Sequence, residues 1–176
     1  VCPTGALHEK DTISQVMESL QNPDKFPVVQ ISPTVSVSLA EEFNVKAGKE
    51  IDGLLVATLH KMGFKKVFKT AFAADIMVMQ IVEELVTRIE NKQALPMFSS
   101  DCPAFVKFME EYHPDLLGHI SASKSPQQIM GSLVKHHFSR QQKVKAESIY
   151  SVSLMPCTAK KFEAQRDEHT HKGIQD

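Results

Sequence analysis

Cys102 and Cys157 stand in "SSDCPAF" and "MPCTAKKF", each beside a proline and each just after a short apolar run. A thiolate binds zinc or iron–sulfur clusters, attacks electrophiles, or forms half of a redox pair. The rigid turn that a neighbouring proline imposes suits a ligand that must keep a fixed geometry. The two are too far apart for a compact C-x-x-C knuckle, so any shared site must be assembled by the fold. A third cysteine, Cys2, opens "CPTGA", and a Cys-Pro pair of this kind ends many four-cysteine iron–sulfur runs. The bland alternative is three free thiols packed as small hydrophobes. An odd number of cysteines at wide spacing argues against a disulfide framework and for a reducing compartment. The histidines His136, His137, His169 and His171 read as solvated surface rather than as further ligands.

Two other groups carry charge where it matters. Lys160 follows Cys157 by one helical turn, which returns its ammonium towards the thiol, whereas Lys161 reads as a wet helix start. Ile81, Glu84 and Arg88 share one face of a long helix. Glu84 and Arg88 are either an exposed pair worth a few tenths of a kcal/mol or, if that face turns inward, a buried charged pair.

The surrounding elements place these residues. "FPVVQI" (Phe26 to Ile31), "KKVFKT", "LPMFSS" and "SIYSVSLM" read as four short strands. Between them lie a short helix from "SPTVSV", with Pro33 near its start, and a helix "KEIDGLLVATLHKMG" closed by Gly63. A long amphipathic helix covers "AADIMVMQIVEELVTRIENKQ". Helices also follow from "CPAFVKFMEEY", from "SPQQIMGSLVKHHFSRQQ", with Ser125 as N-cap and Pro126 at the first position, and from "TAKKFEAQ". Strands alternating with helices predict an α/β layered fold around a mainly parallel four-stranded sheet. "SPT" (Ser32 to Thr34), "SSDCP" and "MPCTAK" each sit just past a strand, where ligands of open α/β sheets bind.

Composition narrows the function further. With 42% hydrophobic residues in 176, the chain buries one sizeable core. The balance of 20 Lys+Arg against 21 Asp+Glu gives no nucleic-acid footprint. No apolar run reaches the roughly 18–20 residues needed to cross a bilayer. The chain begins at Val1 without methionine and runs to Asp176 without a stop signal, the appearance of a piece of a longer protein.

Together, "MPCTAKKFEAQR", "SPQQIMGSLVK", "DCP" after "PMFSS" and the leading "CPTGA" resemble the iron-only (FeFe) hydrogenases, in family order and over essentially the whole chain. The resemblance implies residues 1–10 as the tail of a ferredoxin-like 4Fe–4S domain and residues 24–176 as the N-terminal part of the catalytic domain. It makes Cys102 and Cys157 two of the four cysteines that hold the H-cluster, a 4Fe–4S cubane joined to a di-iron unit with CO and cyanide. Cys2 becomes a ligand of an additional upstream 4Fe–4S cluster. Lys160 becomes the cyanide-facing lysine, and Ser32, Pro33, Thr34, Ser125, Pro126, Gln127 and Met155 become pocket walls. Glu84, Arg88 and Ser121 match members of a proton path. The implied partners are ferredoxin or another electron carrier, protons and H2, and maturation proteins for the di-iron unit, with no membrane and no nucleic acid. The implied setting is the cytoplasm of an anaerobic bacterium, or a hydrogenosome in a eukaryote.

Departures from the family pattern bear on rate. Asp101 stands where the family has its proton-delivering cysteine, Ile81 where it has a path glutamate, and Gln80 also replaces an acid. Phe105 replaces a tryptophan and Ser32 the usual alanine. The motif with the last two cluster cysteines is absent. An isoleucine relays no proton, and a carboxyl group is a far stronger acid than a thiol. The resemblance therefore implies slow turnover or a sensory role. A Nar1-like protein of cytosolic iron–sulfur assembly, without the di-iron unit, is the alternative.

Overall fold

The β-branched run Phe26–Ile31 (β1) forms the centre of a parallel sheet, with Lys66–Lys69 (β2) on one side and Ile149–Leu154 (β3) on the other. The structure, a computed structural model, describes residues 3–7, 10–171 and 174–175; Cys2 lies outside them. Successive β1 side chains face opposite ways, and this alternation divides the core. Val28 joins one apolar cluster with Ala73, Met77, Ile129, Met130 and Val134. Val29 and Ile31 join the other with Val35, Leu55, Leu59 and Phe64.

Helices cover both faces, as a parallel sheet requires. On the Val29 side lie Ile13–Gln21 (α1), Pro33–Ser38 (α2) and Asp52–Met62 (α3). α3 ends at Gly63, whose left-handed backbone (φ 114°) lets the amides of Gly63 and Phe64 close onto the carbonyls of His60 and Leu59. On the Val28 side lie Thr70–Glu90 (α4) and Pro126–Ser132 (α6), with Pro103–Tyr112 (α5) between them in sequence. A π-helical segment, Leu133–Phe138, continues α6 into Ser139–Gln142 (α7). There Lys135 turns inward, and its ammonium donates to the carbonyls of Ile149 (2.7 Å) and Ala146 (3.3 Å) at the start of β3. Ala159–Glu163 (α8) follows β3, and Thr170–His171 (β4) pairs antiparallel with Ile174–Gln175 (β5).

The layered parallel architecture is the expected one, with one difference in the sheet. It has three strands, because "LPMFSS" makes only an isolated bridge, Phe98 to Ile120. The Phe98 amide donates to His119 O and its carbonyl accepts from Ser121, both at 2.8 Å. The partner segment emerges straight from the 3-10 turn Pro114–His119 and is extended too briefly to build a ladder. α1 was not expected. Its amphipathic spacing sets Val16 and Leu20 against the sheet, and Asp11 accepts the Ile13 amide at its start.

The outer face of α4 exposes Phe72, Val78, Met79, Val82, Val86 and Ile89. Even so, no helix among the described residues is long and apolar enough to cross a membrane.

Ile31 is 2% exposed at the C-terminal end of the central strand. Truncating it to alanine is expected to cost about 2–5 kcal/mol, whereas Leu54→Ala, on the exposed side of α3, is expected to cost well under about 1 kcal/mol. Urea unfolding followed by circular dichroism checks both.

Candidate functional site

Parallel register sets Ile31 level with Lys69 on one side and Leu154 on the other, so the strands end at one common edge. The Ser32 amide continues the pattern by donating to Leu154 O at 3.1 Å. Ser32, Pro33 and Thr34 therefore leave the sheet beside Met155 and Cys157. Pro33 opens α2, and the Ser32 hydroxyl donates to that of Thr34 at 3.3 Å. Cys102 occupies the N-cap position of α5, with buried Pro103 inside the first turn. Both Cys102 and Cys157 are free and exposed, which removes the reading of packed filler.

Lys160 ties the two cysteine loops together. Its ammonium donates to the Asp101 carbonyl oxygen at 2.9 Å, next to Cys102 in sequence, while its own helix begins just past Cys157. It also pairs with Glu163 (3.2 Å to Oε2, 3.4 Å to Oε1) and lies 3.8 Å from the Asp101 carboxylate. Glu163 is buried, and its Oε2 accepts from the Ser125 hydroxyl at 2.9 Å. This corrects one expectation. Ser125 has the N-cap position and backbone of α6, but its hydroxyl caps nothing and serves the Glu163 carboxylate instead.

Pro126 begins α6, and Gln127 follows it into the core. The Gln127 carbonyl accepts from Gln30 Nε2 at 3.1 Å, and its side-chain Nε2 donates to Lys160 O at 3.3 Å. Its Oε1 is buried with no hydrogen-bond partner. That atom belongs to a side chain lining a cleft of about 410 Å³ with Gln30, Met155, Cys157 and Lys160.

A second cluster lies along α4. Arg88 is 8% exposed, so the helix face does turn inward. Its Nη2 donates to Glu84 Oε1 (2.6 Å) and to Ile120 O (2.8 Å), and its Nη1 to the carbonyls of Ala94 and Gly118. Glu84 Oε2 accepts from the Ser121 hydroxyl at 2.6 Å, and the Ala122 amide donates to the same carboxylate. Burial alone would raise the Glu84 pKa, but the Ser121 hydroxyl, the Arg88 guanidinium and the Ala122 amide together hold it below the usual glutamate range. Beyond Ser121 the bonding changes character. Ser123 donates from its hydroxyl to the amide oxygen of Gln80 at 3.0 Å, and Ser100 donates to Ser123 O at 2.5 Å. Asp101 makes its bonds with Ser99 and Lys160, and among the described residues no hydrogen bond joins it to Glu84 or Ser121.

Residues 25–176 match the family described as iron only hydrogenase large subunit, C-terminal domain. The chain belongs to the iron-only hydrogenase family. It is 39% identical to Iron hydrogenase 1 of Clostridium pasteurianum over 99% of its own length and 30% of that protein's. A solved apo form of the FeFe-hydrogenase HydA1 from Chlamydomonas reinhardtii superposes with a TM-score of 0.85 at 32% identity, covering 92% of this chain and 42% of that one. The cytosolic Fe-S cluster assembly factor narfl of Xenopus tropicalis is 38% identical over 82% of this chain and 31% of its own length. The chain thus spans about a third of the curated relatives it matches.

The hydrogenase family carries an H-cluster, and the donor set here fits part of one. Cys102 and Cys157 offer two accessible thiols on proline-braced loops that Lys160 holds together. Among the described residues no group of three or more His, Cys, Asp or Glu donors gathers, so these two thiols alone do not complete a four-ligand site. The orphaned Gln127 Oε1 is an acceptor still awaiting a donor on the same cleft. Sequence reasoning missed Glu163, Gln30 and Ser123. Of these only Glu163 had a local signal, its one-turn spacing from Lys160.

Because the folded-state pKa of Glu84 is depressed, its contribution to stability is complete above the ordinary glutamate pKa. That contribution is lost as pH falls through the lower folded value. Glu84→Gln is expected to destabilise the fold by about 1–3 kcal/mol at neutral pH. The gap from the parent should narrow on acidification below about pH 4.5, the ordinary glutamate value, in a series of thermal melts.

Proposed function

We propose that this chain forms the first part of a hydrogenase catalytic domain, catalysing 2H⁺ + 2e⁻ ⇌ H2 at low rate or in a sensory role. The observation that carries this reading is the convergence of the Cys102 and Cys157 loops at the strand edge, bridged by Lys160. Cys102 and Cys157 would hold the cubane of the H-cluster, which, when bound, supplies the two-electron chemistry. Ser32, Pro33, Thr34, Ser125, Pro126, Gln127 and Met155 would wall the cofactor. An ammonium has three N–H donors. Asp101 O takes one and the Glu163 carboxylate another, so one remains for an anionic ligand. Electrons would arrive from ferredoxin or a similar carrier through an upstream 4Fe–4S cluster whose last ligand is Cys2, and the di-iron unit would come from maturation proteins.

Protons would pass along Glu84 and Ser121 with Arg88 holding the Glu84 carboxylate in place, a reading that their mutual hydrogen bonds support. From there towards Asp101 the chain offers Ile81, which carries no proton, and the Gln80 amide, which is not titratable. Asp101 itself is exposed and directed to Lys160. Slow proton delivery follows from that gap. The same gap, together with the likeness to narfl, supports the second reading, an iron–sulfur assembly protein without a di-iron unit.

Infrared spectroscopy of the full-length protein after maturation separates the two. The hydrogenase reading expects CO and cyanide stretching bands, and the assembly reading expects none. Restoring the relay with Asp101→Cys and Ile81→Glu together should raise hydrogen evolution about a hundredfold, the usual size of an acid–base contribution. An unchanged rate in a fully matured double variant would contradict the proposed bottleneck.

A further inference from the structure

We infer that Glu163 is a positioning residue of this site: its buried carboxylate holds the Lys160 ammonium in place as the bridge between the two cysteine loops. Glu163 is 5% exposed, and each of its oxygens is engaged. Oε2 accepts from Ser125 (2.9 Å) and Lys160 (3.2 Å), and Oε1 lies 3.4 Å from Lys160. Ser125 is itself 2% exposed, so the carboxylate is anchored from the core side by a hydroxyl that cannot swing into solvent. A lysine side chain is long and has many rotamers. Two fixed acceptors on different segments, Glu163 on α8 and the Asp101 carbonyl before α5, leave it one. Removing the carboxylate frees the ammonium to follow the Asp101 side chain, whose carboxylate is 57% exposed and already 3.8 Å away. In this chain Glu163 therefore competes with Asp101 for one cation and keeps it at the cysteine loops rather than in solvent.

The clamp is a property of the chain alone, while its catalytic meaning rests on the hydrogenase reading, so two measurements separate them. The first is the acylation rate of each lysine in the 176-residue chain, mapped by mass spectrometry. Lys160 should react at least tenfold more slowly than exposed Lys25. In Glu163→Gln, which keeps the shape but not the charge, Lys160 should accelerate about tenfold with Lys25 unchanged, and Glu163→Asp should restore part of the protection. Lys160 reacting as before in both variants would overturn the clamp, and so would a uniform acceleration of all lysines, which signals general loosening. If Glu163→Gln loses its circular dichroism signature, Ser125→Ala decides. It keeps the carboxylate but removes its anchor, and an unchanged Lys160 rate there would equally refute the inference. The second measurement is infrared spectroscopy of the matured full-length protein, where Glu163→Gln should shift the cyanide bands more than the CO bands. Equal shifts or none would refute a role for Glu163 at the cofactor. Absence of bands from the parent as well would overturn the functional reading and leave the clamp to the acylation result.

Discussion

β1 hydrogen-bonds on both sides at once, to β2 and to β3, and the parallel register leaves Lys69, Ile31 and Leu154 abreast. Two of the loops that carry candidate site residues, Ser32 to Thr34 and Met155 to Cys157, are hung from that edge. Parallel pairing forbids tight hairpins, so each strand must be followed by a crossover. The loops that begin those crossovers emerge side by side where the strands stop. Ser32 to Thr34 and Met155 to Cys157 are neighbours for that reason alone. The Cys102 loop comes from outside the sheet and is tied to the Cys157 loop by a long side chain, Lys160, while Ser100 fastens it to Ser123.

The charges of the site do more to fix position than a count of their ion pairs would suggest. Paired ions taken out of water repay their desolvation poorly, and an apolar replacement of similar volume is often no worse. Lys160 with Glu163, and Arg88 with Glu84, are both of this kind, with side chains largely withdrawn from solvent. What each pair secures is placement. Arg88 gathers the carbonyls of Ala94, Gly118 and Ile120 onto α4, fixing the two irregular segments on either side of α5. Lys160 does the same for the cysteine loops.

Much of the scaffold was legible because local chemistry and global packing agree. "FPVVQI" and "SIYSVSLM" are runs too apolar for an edge exposed on both faces, Gly63 takes the left-handed backbone its type permits, and Pro126 opens its helix. "LPMFSS" has the same look, yet strand formation needs a partner of matching length, and residues 119–121 are not one. α1 carried its own signal in the spacing of Ile13, Val16, Met17 and Leu20. Of the site, residue type and spacing singled out the cysteines, Lys160 and the Glu84–Arg88 pair, but left open whether that helix face turns inward, which the burial of Arg88 decides. Glu163 was passed over, since its one-turn spacing from Lys160 in "TAKKFEAQ" fits one more charge on a wet helix equally well. Only the docking of Ser125 above it makes it a buried anion.

The pairing of β1 with β3 joins segments separated by most of the chain, Phe26 with Ile149 at one end and Ile31 with Leu154 at the other. Pairing segments so distant in sequence costs loop-closure entropy and slows folding, because the intervening chain must be ordered before the contact returns any energy. The Cys157 loop therefore takes its place beside Ser32 only when that long loop is closed. The edge is thus a product of the chain as a whole, since no piece shorter than residues 26–154 contains both of its strands.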